Sequence, residues 1–148
     1  MAQFQFRLAT LLRLRELARD ERRTQLAEAL RMVDQMRDRR EEIDSLLREA
    51  QLLQAPPAGA IDVDRLLNAT RYELVLRAEQ RKLELQEQAL AGEIEKRRQA
   101  LVAADREVRS LELLRETQQQ RHAAAEEQRS QKEFDEIAVR RYAAERAE

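Results

Sequence analysis

Cysteine is absent from the 148 residues, so no disulfide, thiolate nucleophile or cysteine-ligated metal can exist. Glycine and proline occur only twice each and aromatic residues make up 3%. So little aromatic bulk, against 39% charged residues, excludes a thick globular core, and the shortage of helix breakers favours long helices. No apolar run approaches the roughly 20 residues that span a bilayer. The opening MAQFQFRLATLLRLREL has no signal-peptide apolar region followed by a small-residue cleavage site. The expectation is a soluble protein that stays inside the cell.

Charge of one sign is missing as well. Twenty-eight basic and 29 acidic residues alternate along the chain, giving a net charge of −1 and no basic face for nucleic acid. Only Lys82, Lys96 and Lys132 are lysines; arginine carries the rest of the positive charge and suits forked pairing with carboxylates.

The groups that chemistry needs are equally scarce. The one histidine, His122, stands in a polar stretch and reads as a solvated helical residue, not a base or ligand. Asp135 and Glu136 are adjacent, so on a helix they point apart and do not form an acid/base dyad. Gly59 and Gly92 stand alone and build no phosphate loop. No catalysis, cofactor or metal site is expected; the protein should act through its surfaces.

What is present is heptad spacing on either side of one break. Steps of four and three pick out Phe4, Leu8, Leu11, Arg15, Ala18, Arg22, Gln25, Ala29, Met32, Met36, Arg39, Ile43, Leu46, Ala50 and Leu53, of which eleven of fifteen are apolar. The whole frame shifted by one residue holds only six. After the break, Leu66, Ala69, Glu73, Leu76, Gln80, Leu83, Glu87, Leu90, Ile94, Arg97, Leu101, Ala104, Val108 and Leu111 are ten of fourteen apolar. The break is QAPPAGAID, Gln54 to Asp62, where two prolines stop one helix, the glycine permits reversal, and Asp62 or Asp64 can cap the next.

The pattern predicts an all-α fold, a long antiparallel two-helix coiled-coil hairpin. Helix 1 is expected at about 4–54, the turn at about 55–62 and helix 2 at about 63–145. Heptads alone would also permit a parallel dimer of long helices; the prolines and the matched arms favour the hairpin. Folding back aligns Leu53 with Leu66, Ile43 with Leu76, Met36 with Leu83, Leu11 with Val108 and Leu8 with Leu111, each pair of numbers adding to 119. Arg39 then lies beside Gln80 and Arg22 beside Arg97, polar layers that specify register at some cost in stability.

At about 1.5 Å per residue the first helix is roughly 75 Å long and the second roughly 125 Å. The second is therefore expected to extend beyond the first as an overhang over 115–148, beginning where the apolar seam stops near Arg115. Within that overhang QKEFDEIAVRRY, Gln131 to Tyr142, places Phe134, Ile137 and Ala138 on one helical face with no partner left in the chain. Further apolar residues outside the seam gather near the open end (Leu12, Leu14, Leu17, Leu113, Leu114) and near the break (Leu47, Leu52, Leu67, Tyr72, Leu74, Val75). Two helices cannot bury so many stripes, which points to a protein partner.

The opening FQFRLATLLRLRELARDE and the closing SLELLRETQQQRHAAAEEQRSQKEFDEIAVRR resemble the FliJ family of the flagellar protein export apparatus. The likeness is carried by Leu111, Leu114 and Arg115, then Gln131 and Lys132, then Asp135 and Glu136 followed by Ile137 and Ala138. It departs where the family often has a tyrosine and this chain has His122. The resemblance implies a coiled coil similar to the central stalk of rotary ATPases, with relatives in type III secretion injectisomes. It implies a non-enzymatic cytoplasmic protein, peripheral to the membrane through its partners. Those partners are the export ATPase hexamer, the cytoplasmic domain of the export gate, and export chaperones. On that basis the expected ATPase-ring contacts are Arg121, Lys132, Phe134, Asp135, Glu136 and Ile137, and the expected gate contacts Leu47, Tyr72 and Val75. A structural coiled-coil spacer that self-associates, and an injectisome stalk, are the alternatives.

Overall fold

The computed structural model describes residues 3–54 and 62–147. Two helices account for nearly all of them: α1, Ala9–Gln54, and α2, Val63–Glu145. No strand occurs among the described residues, and the fold is all-α, as the heptad spacing predicts. The prolines and Gly59 of the expected turn lie outside the described residues. α1 begins at Ala9, five residues later than the spacing implies, and the first turn is closed by Ala9 N–H to the Phe6 carbonyl at 3.1 Å. Of the two candidate caps for α2, Asp62 serves: its Oδ1 accepts the backbone N–H of Asp64 at 3.1 Å and of Arg65 at 3.3 Å. These are donors that the first helical turn otherwise leaves unpaired.

The chain divides into two compact units, Asp20–Val102 and Met1–Arg19 with Ala103–Glu148. In the first, α1 and α2 pair antiparallel over a thin apolar seam. Ala29, Ile43, Ala50, Leu76 and Ile94 are buried there, Ile43 completely. In the second, Leu12 and Val108 are buried. No polar residue is buried among the described residues, as a two-helix fold with one seam requires.

The α2 seam runs as expected. From Ala69 to Leu111 every position the heptads select is buried or half-buried, and only Leu66, 46% exposed, lies outside it. The α1 seam differs. Ala29, Met36, Ile43 and Ala50 are buried or half-buried as expected and Gln25, Arg39 and Leu46 half-buried, but Leu26, Val33, Arg40, Leu47 and Gln54 are half-buried as well, so the stripe is wider on that side. Met32 and Leu53, expected in the seam, are 47% and 70% exposed. Towards the N-terminus Leu12 is buried in place of Leu11.

Register moves with the stripe. Cross-helix contacts in the Asp20–Val102 unit join residues whose numbers add to 124 (Asp44 with Gln80) and 127 (Gln54 with Glu73, Arg40 with Glu87). They add to 122 for Arg97 with Gln25 and to 118 for Arg39 with Glu79. In the other unit Arg15 with Glu107 gives 122 and Arg19 with Asp105 gives 124. These sums scatter about a centre near 123, the level at which Leu47 lies opposite Leu76, with Arg39 and Glu79 the exception at 118. The pairing is therefore about one helical turn away from the expected sum of 119. Of the expected polar layers, Arg39 stays within one residue of its expected level and the Arg22–Arg97 layer is replaced. Arg39 forks onto Glu79, at 2.8 Å and 3.1 Å, instead of lying beside Gln80. Arg97 donates to the Gln25 backbone carbonyl at 2.5 Å instead of meeting Arg22.

Candidate interaction surfaces

The C-terminal part of α2 changes character at Gln131. Up to Ser130 one position per turn, Gln118, His122, Glu126 and Ser130, is half-buried; from Gln131 to Ala147 every residue is exposed. The cover on the earlier stretch includes the N-terminal segment. Phe4 stands edge-on to His122, ring centroids 5.7 Å apart and planes at 60°, a favourable aromatic geometry. His122 is thus not a freely solvated residue, and Phe4 reaches α2 beyond Arg115, where the apolar seam was expected to lose its partner. In the sequence Phe4 and Phe6, two of three phenylalanines, precede the helix and mark a need for cover without naming its partner.

On the bare stretch Phe134 is 71% exposed and Ile137 48%. Spacing of three and four puts Phe134, Ile137, Ala138 and Arg141 on one face. Tyr142, exposed one turn after Ala138, broadens it, and exposed Val139 lies on another face. The Arg146 guanidinium lies 5.8 Å from the Tyr142 ring centre, a cation–π contact one turn on. Lys132, Asp135 and Glu136 are exposed on other faces of the same stretch, and Glu136 approaches Arg140 at 3.9 Å, a solvated pair of little energetic weight. The structure thus brings Lys132, Phe134, Asp135, Glu136 and Ile137 together within two turns. Arg121 lies some three turns earlier, also exposed.

The residues expected at the gate contact separate differently. Tyr72 and Val75, three apart, share a face of α2 and are exposed. Leu47 is half-buried within the seam stripe, so most of its side chain is committed to the helix pair. Val63, Leu67 and Leu74 are exposed on a separate face of α2, and Leu52 and Leu53 are exposed near the end of α1.

The electrostatics of the intervening pair are strongest at Arg39. It donates through Nε and Nη2 to Glu79 and through Nη1 to Glu42 at 2.6 Å. The hydrogen bond from Arg39 holds the Glu79 carboxyl below its usual range, and the bonds to Glu79 and then Glu42 raise the guanidinium further. Arg40 pairs with Glu87 at 2.8 Å, and Arg77 with Glu73 one turn back on α2.

No group of three or more His, Cys, Asp or Glu side chains placed to hold a metal ion occurs among the described residues, and no described helix is long and apolar enough to cross a membrane. Compared with models of protein families, residues 4–147 match the family described as Flagellar FliJ protein. The chain belongs to the FliJ family. Neither the curated proteins nor the solved structures give a match. Membership makes this FliJ-family chain a component associated with flagellar protein export, and the match takes in the N-terminal Phe4 segment, both helices and the bare face around Phe134.

Proposed function

We propose that this FliJ-family protein is a non-catalytic central-stalk and interaction protein of the flagellar type III export apparatus. It works in the cytoplasm and meets the membrane only through partners. The exposed C-terminal stretch, with Phe134 and Ile137 on one face, Lys132, Asp135 and Glu136 on the others and Arg121 further back, engages the hexameric export ATPase. The α2 face bearing Tyr72 and Val75, with the edge of Leu47, contacts the cytoplasmic domain of the export gate, and through these two contacts the protein couples ATPase to gate. Export chaperones are a further class of partner.

One observation carries this reading. α2 continues for more than a dozen residues past its last cover, and that bare stretch holds large apolar side chains after a run of small and polar ones. Exposed apolar groups clustered on one helical face are the usual mark of a helix that seats in a protein groove. The mixed charge around them suits a partner surface of both signs.

The experiment is to mix the full chain, and the chain ending at Ser130, with the cognate export ATPase and follow ring assembly and ATP hydrolysis. The full chain is expected to promote both and the shortened chain to leave both unchanged. Equal effects of the two, or none from either, would overturn the assignment. Sedimentation of the protein alone is the companion measurement: a monomer at micromolar concentration excludes the self-associating spacer.

A further inference from the structure

The α1 segment in the Asp20–Val102 unit carries two apolar stripes of equal weight. Both include Ala29, Met36, Ile43 and Ala50. One adds Leu26, Val33, Arg40, Leu47 and Gln54; the other adds Gln25, Met32, Arg39, Leu46 and Leu53, and each holds seven apolar residues in nine. The first stripe is engaged at every position, while of those peculiar to the second Gln25, Arg39 and Leu46 are half-buried at its margin and two stay out. This engagement leaves Met32 and Leu53 exposed on α1 and Leu66 exposed on α2, and it places Arg40 in the seam with its Nε buried and without a hydrogen-bond partner. A buried donor left unpaired is a cost that the engaged register carries. Against that cost stand contacts that suit it: Arg40 on Glu87, Gln80 on Asp44 and Gln54 on Glu73, whereas the Arg39 fork on Glu79 is compatible with either register.

We propose that α1 and α2 exchange between two registers one helical turn apart, the engaged one with sums of 123 and a second with sums of 119. The four shared residues stay in the seam and change only their heptad role, so the core does not have to be dismantled. α1 turns slightly and slides by about 6 Å, four residues at 1.5 Å each. In the second register Leu53 faces Leu66, Ile43 faces Leu76 and Met36 faces Leu83, while Arg40 parts from Glu87, Gln80 from Asp44 and Gln54 from Glu73, and Arg39 keeps Glu79. The exchange trades charged pairs against apolar burial. A partner that touches Met32 or Leu53 favours the engaged register, because only there are those side chains free; differential contact of this kind is what lets a ligand move such an equilibrium. One-turn ratchets of a helix past its neighbour are an established form of switching movement.

The absence of cysteine makes the test clean. Three full-length chains share Leu76→Cys and add Leu47→Cys, Ile43→Cys or Ala50→Cys. In the engaged register Leu76 is level with Leu47, with Ala50 three residues to one side and Ile43 four to the other, so a single register makes the Ala50 pair at least as easy to join as the Ile43 pair. Equilibrated in a glutathione buffer, the Leu47 pair is expected to oxidise, and the Ile43 pair to reach at least about ten times the yield of the Ala50 pair, because disulfide geometry tolerates little axial offset. Raised salt should increase the Ile43 yield by screening the ion pairs. An Ile43 yield no greater than that of Ala50 overturns the proposal. Should a Leu→Cys chain lose its helical circular dichroism, spin labels on exposed Asp38 and Lys96 read the same question: two distance populations support the exchange and one excludes it.

Discussion

At the residue scale, stability rests on a few apolar side chains, and their exposures separate the two candidate stripes. Ile43 is completely buried and belongs to both, whereas Leu53 is 70% exposed and belongs only to the unengaged one. Ile43→Ala should cost about 2–4 kcal/mol in urea denaturation, the range for deleting a buried branched side chain. Leu53→Ala should cost less than about 0.5 kcal/mol, as for an ordinary surface substitution. Comparable costs at the two positions would mean that Leu53 is in the seam. The Arg39–Glu79 fork makes a second residue-scale prediction. The hydrogen bond from Arg39 depresses the folded-state pKa of Glu79, so its contribution is complete above the ordinary carboxylate range and disappears as pH falls through the lower folded value. Denaturation profiles of the wild type and Glu79→Gln should therefore differ at pH 7 and converge in acid. A gap that stays constant with pH would contradict the pairing. Because both side chains are substantially solvated, the gap itself should be small.

At the scale of the element, α2 was legible almost completely and α1 only in part, for a physical reason. The α2 seam is punctuated by Leu76, Leu83, Leu90, Ile94, Leu101 and Val108, large residues whose stripe has no close rival, and these positions are buried or half-buried. In α1 the shared set of Ala29, Met36, Ile43 and Ala50 does not say on which side its partners lie. Shifting every position by one residue, which gives six apolar residues, does not test a frame that keeps those four and exchanges only the rest. What decides between the frames is polar: Gln54 reaching Glu73, Asp44 accepting from Gln80, and Arg40 lying along the seam with its charge on Glu87. Counting apolar residues cannot register such contacts, because it treats a long arginine stem that packs and snorkels as a plain polar position. The helices themselves are over-determined by composition, and one weak point can be improved. Gly92 lies inside α2 with no atom within 4 Å of where a Cβ would stand. Gly92→Ala should stabilise the protein by roughly 0.5–1 kcal/mol, by lowering the backbone freedom that folding removes. A loss of stability, measured by thermal or urea unfolding, would show that the position is crowded or bent.

At the scale of the whole molecule, the division is between a seam that folds the chain and surfaces left for partners. The bare face of Phe134, Ile137 and Ala138 could be read from spacing alone, because its apolar residues arrive after a run of 19 residues, Arg115 to Glu133, with no apolar side chain larger than alanine. The N-terminal cover on His122 was not legible, since it depends on an irregular segment whose path no periodicity describes. Folding and partner binding should therefore be separable by mutation. The most direct test is the affinity of the full-length protein for its export ATPase, measured for wild type and Phe134→Asp alongside their thermal unfolding. A side chain that is 71% exposed contributes little to folding, so the unfolding curves should superimpose. A central aromatic anchor typically costs 2 kcal/mol or more when removed, so binding should weaken by about thirtyfold or more. Unchanged binding with unchanged stability would contradict the assignment of this face to the ATPase.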